Sequence, residues 1–329
     1  MLPNIPHLLP SGLLALLTAS ALLTACGGGD DDTEEAPTTQ AVSIEFVATV
    51  GGTPVSCAST LEGLGTTGAK AKVQDLRFYV SNVKLTNDKG EEVLVTLDAN
   101  DFQLTSAGQT VALIDLEDGS GFCAGDKLLH VAVTGTVPQG TYAGVEMTLG
   151  VPEALNHSES TVAAAPLDNK DMAWSWQAGR KFVKIEVNPE NATTAGTFTQ
   201  GIKKFNADGS ATGTFNNSFY FHLGNTGCAV DSTKSWGYSC TSDNTRTFHL
   251  HGFDPQKQRI TVDLKALFAL SNLVEEHGGA GGCMSGGTDP ECQAMWSVIG
   301  SSFDASGNSV QDSENEFFHG HTIFRALAK

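Results

Sequence analysis

Six cysteines, Cys57, Cys123, Cys228, Cys240, Cys283 and Cys292, punctuate this chain of 329 residues downstream of a seventh, Cys26. An even set in an oxidising compartment reads as a disulfide framework, with fifteen formal connectivities. Proximity narrows them. Cys228 with Cys240, and Cys283 with Cys292, each bracket a short Gly- and Ser-rich loop, which leaves Cys57 for Cys123. Closing a loop of this size stabilises by about 3 kcal/mol in the chain-entropy model, and by more for the longest. A thiolate metal site is the rival use, but the chain has no C-x-x-C pair.

The oxidising compartment is inferred from the start of the chain. Residues 1–29 carry no Lys, Arg, Asp or Glu, and Leu13 to Leu23 form an apolar run too short to span a bilayer, which reads as a signal peptide over 1–25. The run ends in Leu23-Thr24-Ala25-Cys26, the pattern of a bacterial lipoprotein cut before Cys26 and acylated on that thiol. Gly27 and Gly28, with no Asp directly after the cysteine, suit the outer membrane, so the expected location is the periplasm or cell surface through a lipid anchor. The following GGGDDDTEEAPTTQ cannot bury apolar area, and residues 26–41 read as a flexible acidic tether. It holds five of the net eighteen negative charges, leaving thirteen on the domain expected over 42–329. Such a domain has no attraction for nucleic acid or anionic lipid. Its acidity suits metal cations or a basic partner protein, but on charge alone plain solubility is the better explanation.

Thirty-six glycines with many Thr, Val and Phe favour strands cut by turns. Ser43 to Val50 alternates and ends in Gly51-Gly52. Leu76 to Leu85 alternates towards its end and turns at Asn87-Asp88-Lys89-Gly90 into Glu92 to Leu97, a hairpin signal. Further strands are predicted over Leu129–Val137, Gly140–Leu149, Lys181–Val187, Ser218–Leu223, Thr245–Leu250 and Arg259–Leu264. A helical period occurs over Lys265–Glu276, with Leu267, Leu270, Leu273 and Val274 on one face. The fold class is therefore mainly β: an antiparallel sandwich, disulfide-braced, with one short C-terminal helix.

Candidate chemistry is sparse. His249-Leu250-His251 and His319-Gly320-His321 are H-x-H pairs, which on a strand put both rings on one face. Without a third ligand such pairs are more often surface or packing features, though a zinc or copper hydrolase built on His249 and His251 is conceivable. His130 and His277 have less to recommend them. There is no G-x-S-x-G, H-E-x-x-H or C-x-x-C-H, and no G-x-G-x-x-G that opens a helix after a strand. No catalytic apparatus of the chain's own emerges, so it reads as a binder or carrier and not an enzyme. Trp174 and Trp176, in Asp171-Met-Ala-Trp-Ser-Trp-Gln177, sit on alternate positions and taken alone are core aromatics of a strand. His157 and His222 taken alone are hydrogen-bonded structural histidines.

Six segments taken together change that reading: DLRFYVSNVKL at 75–85, GTVPQGTYAGVEMTLGVP at 135–152, LNH at 155–157, MAWSWQAGRKF at 172–182, FHLGNTGC at 221–228 and the terminal IFRAL. In this order they resemble the MbnP-like copper-binding proteins, also called metallo-mystery-pair proteins with a four-Cys motif, over nearly all of the mature domain. Arg180 stands where the family usually has an aromatic, a departure expected to touch packing more than ligation. The resemblance implies copper bound by His157, His222 and a kynurenine made from Trp174 or Trp176. It implies as partner a di-haem c-type cytochrome of the cytochrome c peroxidase and MauG kind, which performs that oxidation, and a role in copper acquisition or storage. An indole has no lone pair for a metal, being a donor only through its N–H, so it must be opened before it can ligate. Two neighbouring rings would also offer a haem oxidant successive hole-accepting sites. The rival reading is a glycan-binding or adhesion sandwich in which the tryptophans stack on sugars and no metal is bound.

Overall fold

Period-two stretches fold as strands where the alternation predicts them. The computed structural model describes residues 38–329 apart from Trp176, Ala192, 199–200, 215–217 and 312–322. One sheet runs in the order Phe324–Ala328, Gln258–Asp263, Thr39–Val50, Ala132–Pro138, Thr96–Leu97. The second has the spine Arg246–His251, Tyr142–Leu149, Ala69–Asn87, Val183–Pro189, Phe219–Leu223, Gly282–Cys283, with further short strands on the long one. The first strand begins at Thr39, slightly upstream of the expected domain start. Pairing is mostly antiparallel, but Thr39–Val50 lies parallel to Gln258–Asp263, and Phe219–Leu223 parallel to Gly282–Cys283.

The two sheets meet through aromatic side chains. Phe46 packs edge-on against Phe78 at 5.5 Å between centroids, and Phe324 stacks on Phe248 at 4.2 Å. Phe46 and Phe324 come from the first sheet, Phe78 and Phe248 from the second, and burying each ring contributes roughly 1.5–3 kcal/mol. The predicted strand Glu92–Leu97 divides between the layers. Glu92–Leu94 pairs with the long strand, Thr96–Leu97 pairs with Ala132–Pro138, and the buried Val95 marks the crossing.

The long strand bends at Asn82, whose φ of 50° is left-handed. Its side chain closes onto the partner strand, accepting from the Thr110 N–H and donating to Gln109. The pairing with Tyr142–Leu149 shifts register at the same place, the signature of a bulge.

The helix expected over Lys265–Glu276 is corrected. Only Leu264–Leu267 is helical, one turn capped by the Asp263 carboxylate on the N–H groups of Lys265 and Ala266. Beyond it the Ser271 carbonyl accepts from Thr66, the Asn272 side chain takes the Val274 N–H, and Glu275–Glu276 pairs as a strand with Lys203–Lys204. Asn and Ser offer the backbone local alternatives to a helix, and Leu270 consequently ends up exposed. The chain's longest described helix is Pro290–Val298, with Asp289 as N-cap and Pro290 in its first turn. The three disulfides are those expected: Cys57–Cys123, Cys228–Cys240 and Cys283–Cys292.

Candidate functional site

At one end of the second sheet, the strand Tyr142–Leu149 leads into a helical turn, Glu153–Asn156, with His157 at its C-cap. The chain then crosses to a small hairpin, Ala173–Ser175 with Gly179–Arg180, before entering Val183–Pro189. His157 is buried and stacks on Tyr238, ring centroids 4.9 Å apart. Its Nε2 lies 3.3 Å from the Asn156 Nδ2 and 3.4 Å from the Cys240 Sγ. Because the Asn156 Oδ1 accepts the Arg180 N–H, the amide can only donate to His157, whose Nε2 is therefore the unprotonated nitrogen. Cys228 and Cys240 complete a His and Cys group within ligand distance. Their sulfurs are joined to each other, so they are not thiolates and the group is not a thiolate metal site.

His222 arises from plain strand alternation. Phe219, Phe221 and Leu223 point to the core, which sends Tyr220 and His222 to the opposite face. Register then sets the neighbours. Lys184 sits opposite Arg77 on one side and His222 on the other, and Glu186 sits opposite Asp75 and Tyr220. Asp75 takes up Arg77 and Lys184 as ion-pair partners. His222 stacks on Tyr220 and places its Nε2 2.8 Å from the Glu186 Oε1. Burial pushes the imidazole pKa down, and the carboxylate offsets this only in part, so the ring is neutral at pH 7. Burial pushes the Glu186 carboxyl up, but the His222 N–H, the Lys184 charge and the Gln74 amide outweigh it and hold the group below its ordinary range. The remaining ring nitrogen of His222, Nδ1, is buried and has no hydrogen-bond partner among the described residues.

Trp174 is half-buried, and its six-membered ring lies over Gly224, two residues past His222. A Cβ on Gly224 would come within 2.4 Å of the ring, so glycine is what lets the ring approach the backbone this closely. The ring also lines an open cleft of about 490 Å³ with Gln177, Asn225, Cys228 and Met284. The hairpin bearing Trp174 thus touches both histidine segments, through Arg180 to Asn156 on one side and through the indole to Gly224 on the other. The contacts of the two imidazoles differ: the Nε2 of His157 faces a disulfide, that of His222 a carboxylate. Trp176 lies outside the described residues.

Arg180 does more than fill space. It is fully buried, and its guanidinium donates to the carbonyls of Asn156, Ser158 and Leu167, tying down the segment that carries His157. Glu186 went unnoticed in the sequence because Val183-Lys-Ile-Glu-Val187 reads as an ordinary strand with a solvated charged face. The other described histidines are otherwise engaged. His249 reaches Glu146 at 3.3 Å and its ring faces that of His251, but Lys84 already bridges Glu92 and Glu146 there. His130 bonds the Leu113 carbonyl and stacks on Phe102, and His277 stacks on Phe205. His319 and His321 lie outside the described residues.

Residues 39–285 match the MbnP family. Among solved structures, MbnP from Methylosinus trichosporium superposes with a TM-score of 0.72 at 30% identity, over 88% of this chain and 99% of that one. No curated protein matches the chain.

Proposed function

Because the chain belongs to the MbnP family, a copper-related family, we propose that it binds one copper ion through His157, His222 and a kynurenine formed from Trp174 or Trp176. In this reading it is a lipoprotein anchored through Cys26 in the outer membrane, facing the periplasm or the cell surface. It serves copper acquisition or storage, and it is the substrate of a di-haem c-type cytochrome and not itself an enzyme. The observation that carries the proposal is the state of His222: a buried, neutral imidazole with one nitrogen held by a carboxylate and the other lone pair unused, beside the hairpin that presents Trp174. Copper accepts imidazole nitrogen in both common oxidation states and tolerates low coordination numbers. The donor set fits that ion better than calcium or magnesium, which prefer oxygen.

His157 is the second nitrogen donor in this reading, brought in from the loop braced by Arg180. Opening the indole would supply the third, since the intact ring has no lone pair to give. Family membership favours copper over the glycan-binding alternative. The deciding experiment compares the full chain produced with and without the haem partner, by intact mass and metal analysis. Stoichiometric copper, with a mass change that needs the partner and is lost in Trp174→Phe or Trp176→Phe, is the expected result. Metal-free protein of unaltered mass that shifts on a glycan array would overturn the proposal in favour of sugar binding.

A further inference from the structure

We infer that Glu186 is the positioning residue of the copper site: by accepting the Nε2–H of His222 it makes Nδ1 the nitrogen that meets the metal. The inference rests on the copper reading above and assigns a role to a residue outside the expected ligand set. Its basis is a chain of hydrogen bonds with one consistent direction. The Oε1 of Gln74 accepts from the Ser218 hydroxyl at 2.6 Å and from the Asn188 Nδ2 at 2.9 Å. Turning the Gln74 amide over would lose the Asn188 bond, and the Glu186 carboxylate can only accept, so the Gln74 Nε2 is the atom that donates to the Glu186 Oε2, at 2.8 Å. The other carboxylate oxygen, Oε1, lies 3.5 Å from the Lys184 ammonium and 2.8 Å from the His222 Nε2. Both oxygens of Glu186 therefore face donors, and the proton between Glu186 and His222 belongs to Nε2.

That assignment leaves the lone pair of His222 on Nδ1, the atom that is buried without a partner. The ring cannot readily swing to exchange its nitrogens. Tyr220 stacks against it at 5.2 Å, and the His222 carbonyl is held by the Ser285 hydroxyl, which in turn accepts the Gly224 N–H beneath Trp174. A carboxylate behind a histidine is a recurring way to fix which nitrogen ligates and to raise its basicity, and losing such a partner costs about 10–100-fold in metal affinity.

Glu186→Gln separates this role from a merely structural one. With Gln74 fixed as a donor, the new amide must turn its oxygen to Gln74 and its NH₂ to His222. Nε2 then becomes the acceptor, and the proton moves to Nδ1. Nitrogen-15 NMR of the full chain labelled at histidine reads this directly in metal-free protein: the Nε2–H tautomer is expected in the parent and the Nδ1–H tautomer in Glu186→Gln. Competition of a copper(I) chelator with the chain produced with its haem partner should show affinity reduced by about 10–100-fold in the variant, while Glu186→Asp retains the parent tautomer. An Nδ1–H tautomer in the parent, or parent-like copper affinity in Glu186→Gln, overturns the inference. Parent protein that takes up no copper at all overturns the copper reading itself, a result distinguishable from either.

Discussion

Replacing Arg180 by methionine keeps most of the buried stem and removes every donor. The guanidinium contacts the Leu167 carbonyl from Nε at 3.0 Å and Nη2 at 2.7 Å, the Asn156 carbonyl at 3.3 Å and the Ser158 carbonyl at 2.7 Å. Ser158 is exposed, so water can replace its lost bond; Asn156 and Leu167 are buried, so their carbonyls would be stranded. Each stranded acceptor costs about 1–3 kcal/mol, a gross loss of roughly 2–6 kcal/mol for two. Burial of the guanidinium itself, which pushes its pKa down and is only partly offset by Tyr79, Glu159 and Asp168, returns part of this when the charge is deleted. A net loss of about 2–4 kcal/mol is expected, read as a lower urea midpoint with unchanged slope. Arg180→Lys should recover only part of it, because a single ammonium cannot span three carbonyls. Proteolytic nicking between Asn156 and Leu167 should rise in parallel. A loss below about 1 kcal/mol in Arg180→Met would refute the view that these bonds hold the His157 segment in place.

Gly224→Ala should cost about 1–3 kcal/mol by overpacking, since the new Cβ would lie 2.4 Å from the Trp174 ring and 2.7 Å from the Arg180 carbonyl oxygen; unaltered thermal stability and near-ultraviolet dichroism would contradict that contact. Burial raises the carboxyl of Asp115 to about 7, and burial together with the neighbouring Glu291 raises Glu276 to about 7 and Asp289 to about 8. The native state thus keeps protons that the unfolded chain releases near pH 4, so these groups contribute fully below about pH 4 and their contribution is lost as pH rises through 7 to 8. Urea midpoints should fall between pH 5 and pH 8.5, less steeply in Asp289→Asn, and a midpoint that rises over this window would contradict the assignment. Removing Cys57–Cys123, whose partners are 66 residues apart, should cost about 4 kcal/mol, against about 3 for the bridges of separation 12 and 9. The ranking of the paired serine variants by denaturation tests this.

Alternation of apolar residues sufficed for the strands it predicted, because a period of two is a local property, but it missed Gln109–Asp115, a strand buried on both faces that therefore shows no alternation. Short spacing likewise sufficed to pair the cysteines, and the order of six motifs pointed to the family. Local pattern failed where tertiary partners compete for the same backbone: Leu267, Leu270 and Leu273 have a helical period, yet Thr66 and Lys203–Lys204 claim that stretch. The true helix carried a legible Asp289-Pro290 start that weak periodicity hid. Val95 shows the same limit, since no local signal tells a strand to change sheets. At the site, the sequence named His157, His222 and Trp174 but could not supply their surroundings. Alternation shows that His222 faces away from the core, and only the register of three strands shows that Glu186 meets it there. Arg180 and Glu186 act through contacts 13 to 112 residues away along the chain, a distance over which sequence carries no period and three-dimensional packing alone decides who meets whom.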